Sequence, residues 1–363
     1  MSEVLEREGV EERAESIRMI RESAAGIAPR GGDRKRIRAL RFKEPGFDPA
    51  VLRQMGEQGW IGLRVPESRG GAGLGMSEFC ALAEEMGAAL APEPLIPAAL
   101  SAALLAAPGA ASGAEGPLDA LLGGDQLVLT AWQEAAGMLE ASGTADAARV
   151  FIPQAGGAQA FLVPVREGGR LSLRLQPREG ADLTLEKTQD GAFYGTLRPA
   201  GGEVIAEDVG GALELALDEA ALATAACLLG VMDQAFALTL DYLRTRQQFG
   251  KPIGSFQALQ HRAADLKVQL ALSRASVEAA AALLDGGADR AARRAAVSRA
   301  KARASDAAML VTRQAIQLHG GIGYTDEADI GLYLRKTMVL ANQFGPSALH
   351  RRRFAAEARE DEA

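Results

Sequence analysis

Arginine, glutamine and phenylalanine crowd one short stretch of this chain, Arg244-Thr245-Arg246-Gln247-Gln248-Phe249-Gly250-Lys251-Pro252-Ile253-Gly254-Ser255-Phe256-Gln257-Ala258-Leu259-Gln260. Guanidinium and primary amide groups are planar, directional hydrogen-bonding units. Here they stand on an otherwise aliphatic background at a density greater than a loop needs. Ala/Leu-rich helical patterns lie on both sides. Gly250-Lys251-Pro252 is therefore expected to be the elbow of a helical hairpin, the glycine ending one helix and the proline helping to start the turn. Spacing alone leaves a solvated turn and a binding surface equally open.

Other chemistry-bearing residues offer less. The histidines are His261, His319 and His350, too few for a histidine-based metal site. Cys80 and Cys227 sit in apolar helical patterns without Cys-x-x-Cys or Cys/His spacing, as core fillers in a reducing compartment would. The loop Glu67-Ser68-Arg69-Gly70-Gly71-Ala72-Gly73-Leu74-Gly75 invites a phosphate-binding reading, because bare backbone amides cradle anions. It lacks the Lys-Ser/Thr of a P-loop and no buried strand precedes it, which counts against a nucleotide site.

A chain of 363 residues is too long for one compact helical core and suits two or three domains. Its 48% hydrophobic and 24% charged residues are ordinary for a globular protein. A net charge of -7 and a pI near 5.3 argue against a nucleic-acid surface, and acids flank the basic cluster Arg30 to Arg41. No apolar run of about eighteen residues is expected, and Met1-Ser2-Glu3 does not open a signal peptide. A cytoplasmic protein with no membrane partner is expected.

Helices must position the elbow. Val4, Leu5, Val10, Ile17, Met19 and Ile20 have the spacing of an amphipathic helix. Asp48-Pro49 is placed to cap and start another that Gly59 stops, and Ser77 to cap one over 76–90. Pro92, Pro94 and Pro97 predict an extended passage before a helix over 98–107. Short apolar runs from Leu127 to Leu197, bounded by turn residues, predict roughly six strands. Trp132 lies among them, more plausibly as packing than as a ligand platform. Helical periodicity returns over 213–243, 257–284, 288–318, 330–340 and 347–357. The expected organisation is α+β: a helical domain over 1–124, a small β domain over 125–205, and an antiparallel four-helix bundle over 206–363.

In these stretches the chain resembles the acyl-CoA dehydrogenases, flavoenzymes that oxidise the Cα–Cβ bond of acyl-CoA thioesters. The segment Arg246 to Gln260 is similar to the family's Arg-x-x-Phe-Gly-x-x-Ile-x-x-Phe-Gln. Gln317-Leu318-His319-Gly320-Gly321-Ile322-Gly323-Tyr324-Thr325-Asp326-Glu327 is a second match, and Gly59-Trp60-Ile61-Gly62-Leu63 through Pro66 with Gly70-Gly71 a third. The resemblance implies FAD as cofactor, an acyl-CoA substrate, an electron-transfer acceptor and an oligomer in which one subunit reaches the dinucleotide held mainly by its neighbour. It assigns cofactor contacts to Arg246, as a phosphate-binding fork, to Gln248 and Gln257, to Phe249 as an apolar wall, and to Gln317, Gly320 and Gly321, where backbone amides approach closely.

The chemistry of the family needs a carboxylate base, and both places that usually carry it differ here. The Tyr-Glu-Gly-Thr turn is Gln343-Phe344-Gly345-Pro346, and Asp-x-Glu-Arg is Asp218-Glu219-Ala220-Ala221, which puts Phe344 and Ala220 where a glutamate is expected. Glu219 is one residue off, turned by about 100° along a helix, and more in keeping with a surface charge. The flavin-ring contacts Thr-Glu-Pro-Gly and Trp-Ile-Thr are replaced by Leu129-Thr130-Ala131-Trp132-Gln133 and Arg149-Val150-Phe151-Ile152-Pro153. An intact half-site with an empty base position resembles the non-catalytic subunit of the family's heteromeric branch, which pairs with a paralogue, as a heterotetramer, and includes enzymes for bulky thioesters such as steroid side chains. The alternatives are a homomeric enzyme using Glu219 or Asp218, and a flavin-free scaffold of the same fold.

Overall fold

The computed structural model describes residues 2–360. The helix α1 (Ser2–Ile27) opens the chain and packs on α4 through buried Ile20 and Ala24. Met19, expected on its apolar face, is instead exposed, and the side chains of Val4, Leu5 and Val10 lie outside the described residues. Then come α2 (Lys35–Leu40), α3 (Pro49–Glu57), α4 (Met76–Ala89), α5 (Leu95–Leu105) and α6 (Glu115–Leu122). Asp48 caps α3 as expected, its Oδ1 accepting from Ala50 N at 3.0 Å with Pro49 in the first turn. The helix α5 starts three residues earlier than its prolines suggested. Pro97 sits in the first turn, where its missing N–H would have had no partner.

The start of α4 is not capped by Ser77. Asp285 does this from the end of α8 (Gln257–Asp285), accepting from Met76 N, from Ser77 N at 3.1 Å and from Ser77 Oγ at 2.6 Å. Asp285→Ala should therefore cost about 2 kcal/mol, the loss of a cap and of bonds to a charged acceptor. Urea unfolding would measure it. The glycine loop after Pro66 spends its amides internally: Ala72 N, Gly73 N and Leu74 N donate to Gly62 O, Val65 O and Leu63 O. A Cβ on Gly71 would lie 2.1 Å from Val65 O, so this glycine serves close packing.

The β region contains β1 (Val128–Thr130), β2 (Arg149–Pro153), β3 (Ala160–Glu167), β4 (Arg170–Pro177), β5 (Asp182–Lys187), β6 (Phe193–Arg198) and β7 (Glu203–Ala206). One sheet runs β1-β3-β4-β7, with β1 parallel to β3, and the other β2-β6-β5. Strand β7, absent from the sequence expectation, is only four residues long, and its pairing with β4 (Leu173↔Ala206) supplies what its own pattern lacks.

The remaining chain is helical: α7 (Gly210–Thr245), α8, α9 (Arg290–His319), α10 (Ile330–Leu340) and α11 (Ser347–Glu360). Against α9 pack α7, α8, α10 and α11. Contrary to the reading of the sequence, α7 is long and apolar enough to cross a membrane, yet 94% of its apolar window is buried among its neighbours. The basic cluster before α3 is inter-element glue. Arg30 meets Glu84, Glu85 and Asp233; Arg34 bonds Tyr333 Oη and Ala88 O; Arg36 pairs with Glu93; Arg38 and Arg41 reach Asp329 and Asp326. Of these, the contacts to Asp233, Tyr333, Asp329 and Asp326 tie the N-terminal part to the C-terminal one. Cys80 and Cys227 are buried free thiols, and burial pushes the Cys227 thiol up to about 11.

Candidate functional site

The elbow is not a helix cap. Helix α7 ends at Thr245, and Arg246 N donates back to Tyr242 O at 2.8 Å. Residues Gln247–Gln248 (β8) pair with Lys251–Pro252 (β9), and Phe249 and Gly250 form the turn at φ +55° and +78°. Left-handed backbone at both central residues is what a two-residue hairpin loop needs. Gly250 therefore ends no helix; it closes a hairpin that lifts Phe249 into solvent, 88% exposed, with its ring edge-on to Phe256 at 6.1 Å.

This hairpin forms one wall of a hollow of about 500 Å³. Arg246, Gln248 and Phe249 line it on one side, and Gln317, Gly320 and Gly321 on the other. Of the residues singled out from sequence, Gln257 is not in the lining. It is the first residue of α8, and two positions on, about 200° around the helix, Leu259 faces the hollow instead, followed by Arg262. Arg262 is a second exposed guanidinium; like Arg246, it enters no ion pair among the described residues. Sequence reasoning also missed Tyr242 and His319, whose rings stack at 4.5 Å and 21°. His319 Nδ1 lies 2.7 Å from Ala315 O, and burial holds the imidazole below its usual pKa. Neutral, the ring donates from Nδ1 and keeps Nε2 as an acceptor. Gly320 sits at φ +65°, and a Cβ at Gly320 or Gly321 would project into open space, so backbone is what this wall presents.

A second hollow, about 300 Å³, lies where the β region meets the turn after α10. Trp132, Gln133, Phe151 and Pro153 face Asn342, Gln343, Phe344 and Pro346 across it, with Tyr194 alongside. Trp132 is thus a wall of a cavity as well as packing. Register slips between Arg149 and Ile152, and at this bulge Phe151 takes φ +56°, with its ring edge-on to Tyr194 at 6.0 Å. None of the lining residues is charged. Phe344 is buried at φ +53°, so no carboxylate stands on that turn.

Asp218, Glu219 and Ala220 line neither hollow. Ala220 is buried in α7. Glu219, expected at the surface, is only 12% exposed and bonds Arg64 across the chain. Asp218 is fully buried between Arg293 Nε, 2.9 Å from Oδ2, and Arg353, 2.6 Å from Oδ1. Both carboxylates are engaged by guanidinium groups.

Behind the Phe344 turn, His350 Nε2 lies 2.8 Å from Phe344 O, and burial with the neighbouring Lys301 charge pushes the imidazole down to about 3. A depressed folded pKa means stability fully present above the ordinary value near 6.5 and lost as pH falls through about 3. Denaturant midpoints between pH 7 and 4 should fall, and His350→Gln should flatten that slope.

Comparison with known proteins shows the family of the chain. Residues 14–115 match the model of the acyl-CoA dehydrogenase N-terminal domain, and residues 211–358 that of the C-terminal domain. Acyl-CoA dehydrogenase IpdE2 of Mycolicibacterium smegmatis is 33% identical over 353 residues, 95% of this chain and 99% of the relative. Among solved structures, the Tcur3481-Tcur3483 steroid acyl-CoA dehydrogenase G363A variant superposes with a TM-score of 0.87 at 26% identity, over 96% of this chain and 99% of that one. The ChsE4-ChsE5 complex of Mycobacterium tuberculosis gives 0.84 at 25%, over 95% and 98%. The chain belongs to the acyl-CoA dehydrogenase family.

Proposed function

We propose that this chain is the base-lacking subunit of a heteromeric FAD-dependent acyl-CoA dehydrogenase and completes a flavin site held chiefly by a paralogous partner. One contrast carries the reading: the elbow hollow has two guanidiniums without an ion pair among the described residues, while no acid lines the hollow beside Phe344. The donor set of the first fits a dinucleotide. Arg246 and Arg262 would take the pyrophosphate oxygens, Gln248 and Gln317 would supply neutral donors, and the Gly320-Gly321 backbone would let the group approach. Phe249, exposed at the tip of the hairpin, would reach a neighbouring subunit.

FAD, when bound, supplies the acceptor for the substrate's β-hydride. Removal of the α-proton needs a base within hydrogen-bond reach, and no atom of this chain's aromatic hollow can take it, so the base belongs to the partner. Trp132, Phe151 and Phe344 would instead exclude water and offer apolar surface. A bulky acyl group such as a steroid side chain is supported by the likeness to a steroid acyl-CoA dehydrogenase, and an electron-transferring protein would reoxidise the flavin. Purified alone, the chain should give no flavin reduction on addition of an acyl-CoA; with its paralogue it should. Reduction by the chain alone would overturn the assignment. Glu219→Gln should leave turnover of the assembly unchanged.

A further inference from the structure

The aromatic hollow is bounded on one side by the turn 341–346, and a cation that does not line the hollow holds this turn from behind. Lys301, on α9, is fully buried. Its Nζ lies 3.2 Å from Leu340 O, 3.1 Å from Ala341 O, 3.1 Å from Gly345 O and 3.1 Å from Ser305 Oγ. The first two carbonyls end α10, where the helix dipole favours positive charge. The third lies on the far side of residue 344, so one nitrogen bridges the turn, and His350 takes the Phe344 carbonyl between them. Among the described residues no carboxylate touches Nζ. The charged and titratable groups around it are Asp306 on its own helix, paired with Arg351, and His350 and Arg353 on α11. Burying a cation without a counter-ion is costly, and methionine would fill the same space more cheaply.

We propose that Lys301 is the positioning residue of this hollow: by bonding main-chain oxygens on both sides of residue 344 it fixes the turn and delivers whatever side chain stands there into the cavity. In this chain the side chain so presented is Phe344. This rests on the functional reading only for the identity of the hollow. Four oxygens around one nitrogen outnumber the three hydrogens of an ammonium and the two of a neutral amine, so Nζ donates to the turn in either protonation state. Burial pushes the lysine down to about 7 from its ordinary 10.5. Opening the turn returns Lys301 to water, so between those values opening takes up a proton and becomes harder as pH rises.

Hydrogen exchange of the full-length protein, corrected for intrinsic rate, tests this at Gln343 N and Gly345 N, which bond Val339 O and Asn342 O. Wild-type protection should rise between about pH 7 and 10. Lys301→Met should exchange about tenfold faster at these amides, with no such rise, because buried carbonyls lose their donor, while the middle of α9 keeps its protection. Unchanged exchange at the turn, or an equal loss throughout α9, would make the lysine core packing only and overturn the proposal. Should Lys301→Met fail to fold, Ser305→Ala removes one of the four oxygens and should shift the pH profile of the turn downward; an unshifted profile overturns it equally. Flavin content, read in parallel, bears on the functional assignment and not on this outcome.

Discussion

Replacing Arg246 by methionine should weaken FAD binding by the assembled protein about 10- to 100-fold, the loss of charge-assisted bonds to phosphate. The side chain is exposed and pairs with no acid among the described residues, so folding should be spared, and flavin content after gel filtration isolates the effect. Arg262→Met should act in the same direction. If Arg246→Met leaves the flavin in place, the hollow beside the elbow is not a dinucleotide site. Methionine keeps an unbranched apolar stem and removes only the fork.

Asp218→Asn should have a large effect of another kind. A fully buried carboxylate between Arg293 and Arg353 cannot lose its charge without leaving two guanidiniums under-compensated, and a cost of about 3 kcal/mol is expected. Thermal or urea unfolding would show it. Turnover per folded assembly should be unchanged at permissive temperature, because the carboxylate lines neither hollow. A loss of turnover without a loss of stability would return Asp218 to the list of bases.

Local signals in the sequence translated well into structure. Asp48-Pro49 starts α3 because cap and first turn are neighbours in the chain. The long helices were readable from periodicity, since a 3.6-residue repeat survives wherever one face is buried. Signals carried by tertiary contact were silent. The cap of α4 comes from Asp285, 208 residues after Ser77, and β7 exists through its pairing with β4. The elbow shows both sides. Its arginine and glutamines were conspicuous, but a glycine with positive φ ends helices and closes hairpins alike, and only Phe249 sharing the left-handed region decides for the hairpin.

The candidate site was legible to the same degree. The Arg246 and Gly320-Gly321 stretches, about seventy residues apart, face one hollow as expected, whereas Gln257 fell out and Arg262 came in on helical phase alone. Phe344 was visible as a missing acid. The cradle of Lys301 behind it was not, because a lysine in an alanine-rich helix reads as a surface charge until its burial is known.

The ratio of flavin to this chain in the purified native assembly is the most direct measurement. The predicted result is one FAD per pair of this chain and its paralogue, with no stoichiometric flavin on this chain by itself. One FAD bound per copy of this chain in the absence of a partner, or no flavin in any assembly, would contradict a shared site.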